Sequence, residues 1–478
     1  MQLNEYKSYD ATDLALIVKN KDIQPKELLD LAIGSIESED KTISAVVTKA
    51  YDKANKTIEN GIPNGPFAGV PFLLKDLNVS YKGLPTTLSS KLFKSNIAKH
   101  DSGLVKQYKD AGLIILGLTK TPELALSLTT EPVLNGPTRN PLNIEYSPGG
   151  SSGGSAAAIV AGYVPMAHGT DGGGSIRVPA SLCGLFGLKP SRGRISYYPD
   201  LGEGLGGMAT SHCLSKSVRD SATLLDISSN ILPGDPYVAP KNINKFSKAA
   251  ETDPKKLIIA ICTTDFEGNK INDESVLNTL KTGKLCEDLG HIVEEAYPDL
   301  SDLPILKAWK ILPGINLLNN LTKRSEFLGV KIKDTDVEPL HWAWMEEAKQ
   351  YTAIDYLNAM NTMHLIGRRI GDFLQGYDLI LTPTLAKPDL KLGKIKTDHT
   401  DVDKQLNYLF KEFSPYTAVF NQSGGAAMSL PLWTSSKGLP IGMHFGGKLG
   451  DEEKLIQLAG QFERSYSWNM TLQLHPID

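Results

Sequence analysis

Cysteine is scarce in this chain of 478 residues: there are four, Cys183, Cys213, Cys262 and Cys286, and no two form a C-x-x-C pair. That spacing excludes a disulfide framework and a structural zinc site, so no metal is expected. An excess of charge of either sign is also lacking, because 50 Lys and Arg stand against 54 Asp and Glu for a net charge of -4. Without a basic run to track a phosphate backbone, nucleic acid is not an expected partner. No apolar run approaches the roughly 18 residues of a membrane span, and Met1 to Lys7 lacks the charged-then-apolar plan of a signal peptide. The expectation is a cytoplasmic protein with no membrane contact. Internal repeats and low-complexity tracts are missing too. What the chain does have is a 41% hydrophobic content, enough for one large core or for two to three domains.

Alternating elements suggest an α/β fold built on a central sheet. Residues 1–65 read as an N-terminal helical segment, with Pro25 at a first helical turn and Leu28, Leu29, Ala32, Ile33 and Ile36 at helical spacing. Residues 66–235 read as the α/β core. Phe67 to Asp76 has no helical period and looks like a buried strand ending in charge. Helices are expected over Gly103 to Ala111 and Ser155 to Ala161, and strands over Leu113 to Leu116 and Val164 to Ala167. Ser217-Val218-Arg219-Asp220 has capping-box spacing and opens a helix through Ile227. Pro233 to Pro254, polar and proline-spotted, marks a boundary. Residues 236–400 form a mostly helical region that carries Trp309, Trp342 and Trp344 and covers either a core or a pocket. Residues 401–478 complete the core, with closing strands expected at Phe420 to Pro431 and Pro440 to Phe445.

Glycine is concentrated where chemistry is expected. Ser147 to Ser155 reads SPGGSSGGS and Gly169 to Arg177 reads GTDGGGSIR. Such density is tolerated where backbone must approach something closely or adopt torsions that a Cβ forbids. Three common motifs compete for these and other glycines. Gly442 to Leu449 nearly spells a phosphate-binding loop, but Leu449 stands where a hydroxyl must hold magnesium. Gly202 to Gly207 fits a dinucleotide fingerprint without the helix and the later acidic residue it needs, so it reads as a loop near the site, and no cofactor is expected. Gly149 to Gly153 satisfies G-x-S-x-G, the elbow of α/β-hydrolase esterases, with Ser151 as nucleophile. That reading needs a later imidazole from His291, His341, His364, His399, His444 or His475, and it leaves Thr170 to Arg177 without a role.

A fourth reading uses both clusters. Cleaving an amide needs an activated nucleophile, donors for the tetrahedral oxyanion and a proton for the departing amine. Ser175 follows three glycines, and the N–H groups of Gly172, Gly173, Gly174 and Ser175 are placed to converge on an oxyanion. Lys75 ends the apolar run Val70 to Leu74 and is the candidate base. Bringing a lysine from about 10.4 to near neutrality costs about 4 kcal/mol, which burial at a strand end can supply. Asp76 need not neutralise it, because successive strand side chains point to opposite faces.

These residues resemble the amidase signature family. The likeness spans Pro148 to Arg194 nearly without a gap and includes Gly69 to Asp76 and Gly438 to Gly442. It implies the amidase signature fold, a mixed twisted sheet covered by helices on both faces, and a Ser-cisSer-Lys mechanism. Carried over residue by residue, Ser175 is the nucleophile, Ser151 the bridge and Lys75 the base. Ser151 and Ser175 stand 24 residues apart, as in the family. The resemblance also implies a cis peptide bond between Gly150 and Ser151, and Ser152, Asp171 and Arg177 as residues that orient the glycine loops. The chain departs from the family pattern at Gly172, where relatives carry a larger residue, and at Gly424 to Ala427. Extra glycine is expected to loosen the oxyanion loop. The expected partner is a small-molecule amide, with a homodimer left open. Within the family the chain is similar to stand-alone bacterial amidases near the 6-aminohexanoate cyclic dimer hydrolases. The rival is the glutamine-hydrolysing component of a glutamyl-tRNA amidotransferase, its A chain, which Val178 disfavours because those chains carry Gln there.

Overall fold

Every residue of Pro71–Lys75, Ile114–Thr119 and Met166–Asp171 is buried, as required of strands covered on both faces. The structure, a computed structural model, describes residues 1–242 and 244–466. Among the described residues eleven strands form one mixed sheet: β1 (Val46–Lys49), β2 (Pro71–Lys75), β3 (Ile114–Thr119), β4 (Met166–Asp171), β5 (Phe186–Lys189), β6 (Thr210–Ser215), β7 (Ile258–Ile261), β8 (Ile292–Glu295), β9 (Leu379–Pro383), β10 (Ala427–Thr434) and β11 (Pro440–Gly446). Their order is β1-β3-β2-β4-β6-β5-β10-β11-β9-β7-β8. β2 lies parallel to both β3 and β4, whereas β4 is antiparallel to β6. The antiparallel pair β10 and β11 inserts between β5 and β9, so the last strands of the chain sit in the middle of the sheet. This is the α/β architecture expected, with one sheet running unbroken on both sides of the polar stretch 233–254.

Several local expectations change. Phe420 to Ser423 is not strand but the end of a helix, Thr417–Ser423, that stops at Gly424 before β10 begins. Its polar Asn421 and Gln422 are buried, and a strand there would have placed them on alternate faces of the sheet. Ser217 caps its helix by accepting from Asp220 N, but the Asp220 carboxylate does not reach back. It accepts from Ala11 N at 2.7 Å and Thr12 N at 2.9 Å instead, tying the N-terminal helices to the core. The helical region 305–373 serves both purposes raised for it. Trp344 is core, while Trp309, 6.5 Å from Trp344 and 4.4 Å from Phe410 between ring centres, also lines a large cavity. No helix among the described residues is long and apolar enough to cross a membrane.

The helix Gly153–Val160 packs so tightly that a Cβ on Gly154 would lie 2.5 Å from Lys120 N and O and 2.8 Å from Ala45 O. These are backbone atoms, which cannot swing aside. Gly154→Ala should therefore lower stability by about 1–3 kcal/mol, whereas Gly34→Ala, with nothing within 4 Å of the new carbon, should raise it by about 0.5–1 kcal/mol as a helix-interior glycine. Urea unfolding midpoints compare the two, and equal midpoints would refute the packing.

Candidate active site

Because β2 and β4 run parallel side by side, Lys75 at the end of one and Thr170 near the end of the other arrive at the same edge of the sheet. The start of the helix Gly153–Val160 brings Ser151 and Ser152 to that edge. The Lys75 ammonium nitrogen lies 2.7 Å from Ser151 Oγ, 2.9 Å from Ser152 Oγ and 2.7 Å from Thr170 Oγ1. Among the described residues no carboxylate touches it. Burial pushes the Lys75 pKa well below the usual lysine range, opposed only by the negative charge of Asp171. Asp76 points away as expected. It accepts from Thr87 N at 2.7 Å and from Thr87 Oγ1, and burial raises its pKa to about 7.

The peptide bond between Gly150 and Ser151 is cis. Gly150 has no room for a side chain, since a Cβ would meet the backbone of Thr129 at 2.6 Å. Ser152 does more than hold a glycine loop. Its hydroxyl donates to Thr170 O at 3.2 Å and so turns a lone pair toward Lys75. Thr170 is the residue that sequence reasoning missed. It stands inside the second glycine cluster, and its position two residues after His168 on β4 places both on one face of the strand. His168 Nδ1 accepts the backbone N–H of Lys75 at 3.2 Å, and burial pushes that imidazole down to about 3.

Ser175 sits in the turn between β4 and the helix Arg177–Cys183, with its carbonyl accepting from Ser152 N at 3.2 Å. Asp171 organises this turn. Its carboxylate accepts from Gly174 N at 2.8 Å, Ile176 N at 3.1 Å and the Arg177 guanidinium at 2.9 Å through both Nε and Nη2. Asn421 Nδ2 adds a bond at 2.9 Å. Arg177 in turn reaches Asn421 Oδ1 at 2.7 Å and His444 Nε2 at 3.0 Å. Since a guanidinium only donates, His444 Nε2 accepts and its proton is on Nδ1, facing Thr382 Oγ1 at 3.3 Å. The Arg177 charge beside Asp171 overcomes burial and holds that carboxyl below the usual carboxylate range.

Two expectations for the glycines are corrected. Gly174 N–H is already committed to Asp171, so it is not free for an oxyanion; among the described residues the N–H groups of Gly172, Gly173 and Ser175 have no acceptor. Nor is the loop loose. Thr417 Oγ1 donates to Gly173 O at 2.7 Å, and the room over Gly172 is taken by Leu205, whose Cδ1 lies 2.7 Å from where a Cβ would stand. Gly174 has φ +130°, which a side chain would oppose. Among the described residues no imidazole bonds to Ser151 or Ser175: His341 is held by Glu123, His291 by Gln461, and His444 by Arg177. His475 lies outside the described residues. The Gly442 to Leu449 motif forms no phosphate cradle either, since Gly442 N donates to Ser181 Oγ and Gly446 packs against Phe420.

Ser151, Ser175, Gly172 and Gly173 line a cavity of about 460 Å³. Its walls include Leu124, Ala125 and Leu205, all at positive φ, an uncommon conformation for such residues that clusters at ligand-binding sites. The loop 202–207 is therefore part of the site rather than a dinucleotide fingerprint.

Asp171→Asn leaves the buried Arg177 charge without its counterion, and should cost about 3–5 kcal/mol of stability at pH 7. The folded Asp171 carboxyl titrates below its unfolded value of about 3.9, so the pair contributes fully above that pH and fades as pH falls below it. Urea unfolding should accordingly show a smaller gap between parent and variant at pH 3 than at pH 7. A pH-independent gap would contradict this ionisation.

Comparisons with known proteins bear on the family and the fold. The Amidase family profile matches residues 27–456. A 6-aminohexanoate-cyclic-dimer hydrolase of Paenarthrobacter ureafaciens is 34% identical over 470 residues, covering 96% of this chain and 95% of the relative. A solved structure of a 6-aminohexanoate cyclic dimer hydrolase superposes with a TM-score of 0.92 at 35% identity, over 97% of this chain and 98% of that one. A putative amidase of Synechocystis is 32% identical over 492 residues, covering 99% of this chain and 92% of the relative. With nearly its whole length matched in sequence and in fold, the chain belongs to the amidase signature family, hydrolases that act on amide C–N bonds.

Proposed function

We propose that Ser175 attacks the amide carbon, that Ser151 carries its proton, and that Lys75 is the base. The observation that supports this reading most is the proton inventory around Lys75 Nζ. A neutral amine has two N–H groups and one lone pair. Ser152, whose own hydrogen goes to Thr170 O, takes one N–H, and Thr170 Oγ1 takes the other. The lone pair then faces the Ser151 hydroxyl at 2.7 Å. Ser151 gives its proton to Lys75 and receives that of Ser175 as the new C–O bond forms.

The N–H groups of Gly172, Gly173 and Ser175 receive the oxyanion, each such donor being worth about 2.7–4 kcal/mol. As the C–N bond breaks, the proton returns from Lys75 through Ser151 to the departing amine. Water then follows the same route to release the acid from acyl-Ser175. Ser152 and Thr170 hold the amine of Lys75, and Asp171 with Arg177 shapes the turn carrying Ser175. Thr170 is thus a positioning residue.

For the substrate, the likeness to cyclic dimer hydrolases and a large cavity with leucine-rich walls favour a linear or cyclic aliphatic amide. Val178, buried in an apolar cluster with Leu128, Leu182 and Leu409, gives no polar handle for a glutamine side chain and disfavours the amidotransferase reading.

Ser175→Ala should lower kcat for amide hydrolysis by about 10³-fold or more, and abolish labelling by a fluorophosphonate probe mapped by peptide mass. Activity retained within about tenfold would remove Ser175 from the nucleophile's role. Lys75 must be neutral to act, so kcat/KM should rise with pH through its lowered pKa and level off above it. Lys75→Ala should lose that limb and be crippled more at neutral than at high pH, where hydroxide substitutes; a loss equal at every pH would make Lys75 structural.

A further inference from the structure

The helix Ile305–Leu328 presents two different stripes. One, with Trp309, Leu312, Leu317 and Leu321, is buried in the protein. The other is Asn316, Asn319, Asn320 and Lys323, at the i, i+3, i+4, i+7 spacing of a single helix face, and all four line the cavity that holds Ser175. Among the described residues none of these four side chains has a hydrogen-bond or ion-pair partner. The stripe is also graded: Asn316 is half-buried, while Asn319, Asn320 and Lys323 are exposed. At 1.5 Å per residue it runs about 10 Å from the cavity to its rim.

Elsewhere the cavity wall is largely apolar, with Leu124, Leu126, Leu128, Leu406, Leu409 and Phe410. Its acidic groups, Asp200 and Glu203, are on a separate segment, and Asp200 is engaged by His100 at 2.8 Å. A ligand in this space meets hydrocarbon on one side and a line of carboxamides ending in a cation on the other. A carboxamide offers one donor group and one acceptor, the complement of a second amide, and a lysine ammonium complements a carboxylate. A purely hydrocarbon chain would leave the half-buried Asn316 facing it without a partner, at the cost of desolvating that group.

We infer that this face is a subsite for linear oligoamides: substrates in which an aliphatic spacer joins the scissile amide to a second amide, with a free carboxylate reaching the rim. The inference rests on the amidase reading of Ser175. Asn316 receives the second amide, Asn319 and Asn320 flank it, and Lys323 meets the carboxylate.

The test uses p-nitroanilides of matched aliphatic acyl chains ending in a methyl group, an N-methylamide or a carboxylate. A mirror series with the chain on the amine side is followed by mass spectrometry. In one series the parent enzyme should prefer both polar ends over methyl. Asn316→Leu should lower the ratio of kcat/KM for polar-ended over methyl-ended substrates about tenfold, through KM. Lys323→Gln, and added salt in the parent, should lower the ratio for the carboxylate end alone. Ratios unchanged by both variants, or a methyl end preferred in both series, overturn the subsite while leaving the amidase reading intact. A parent enzyme that cleaves no amide, with Ser175 unlabelled by the fluorophosphonate, removes both.

Discussion

The buried pair of Asp171 and Arg177 is the constraint on which the catalytic end of the molecule depends. Two charges removed from water are tolerable only when their remaining donors and acceptors are filled. Here the filling is supplied from three directions: backbone N–H groups of the Ser175 turn, the carboxamide of Asn421 and the imidazole of His444. The turn therefore has little freedom to rearrange. Satisfying the carboxylate and shaping the Ser175 backbone are one act, and through it the Gly174 N–H is taken up by Asp171.

Lys75 is treated in the opposite way. It is as buried as Arg177, yet its nitrogen meets hydroxyls and no carboxylate among the described residues. Asp76, the nearest acid in sequence, is turned to Thr87. Two basic side chains thus share this end of the sheet in different surroundings: burial lowers the Lys75 pKa, while Arg177 sits against a carboxylate. Arg177 is anchored by that charged partner, and Lys75, held by hydroxyls, suits the base's role proposed for it.

Much of this is readable in the chain because the family pattern is dense and local. Lys75 follows an apolar strand, and both serines lie on glycine-rich segments separated by one short helix and one strand. What escapes is what distance in the chain conceals. Asn421 and His444 meet Arg177 from 244 and 267 residues away, and nothing in their surroundings marks them as its partners. Phe420 to Ser423 runs directly into the apolar strand that follows it, and the burial of its polar Asn421 against Asp171 shows why the segment is helix. Gly174 is misjudged from sequence because a glycine's free N–H cannot be told from a committed one without knowing where the preceding aspartate points. The stripe from Asn316 to Lys323 needs the knowledge of which helix face meets the cavity.

The insertion of β10 and β11 into the middle of the sheet has a consequence in time. A ribosome delivers Lys75, Ser151 and Ser175 well before the segment that fills the gap between β5 and β9. Until then Arg177 has Asp171 but neither Asn421 nor His444, and the sheet has two unclosed halves. A cell is crowded with amide bonds, every peptide link among them. In this topology the segment through β11 works as a seal on what precedes it, and the Ser175 turn gains its last supports only after that segment has been made.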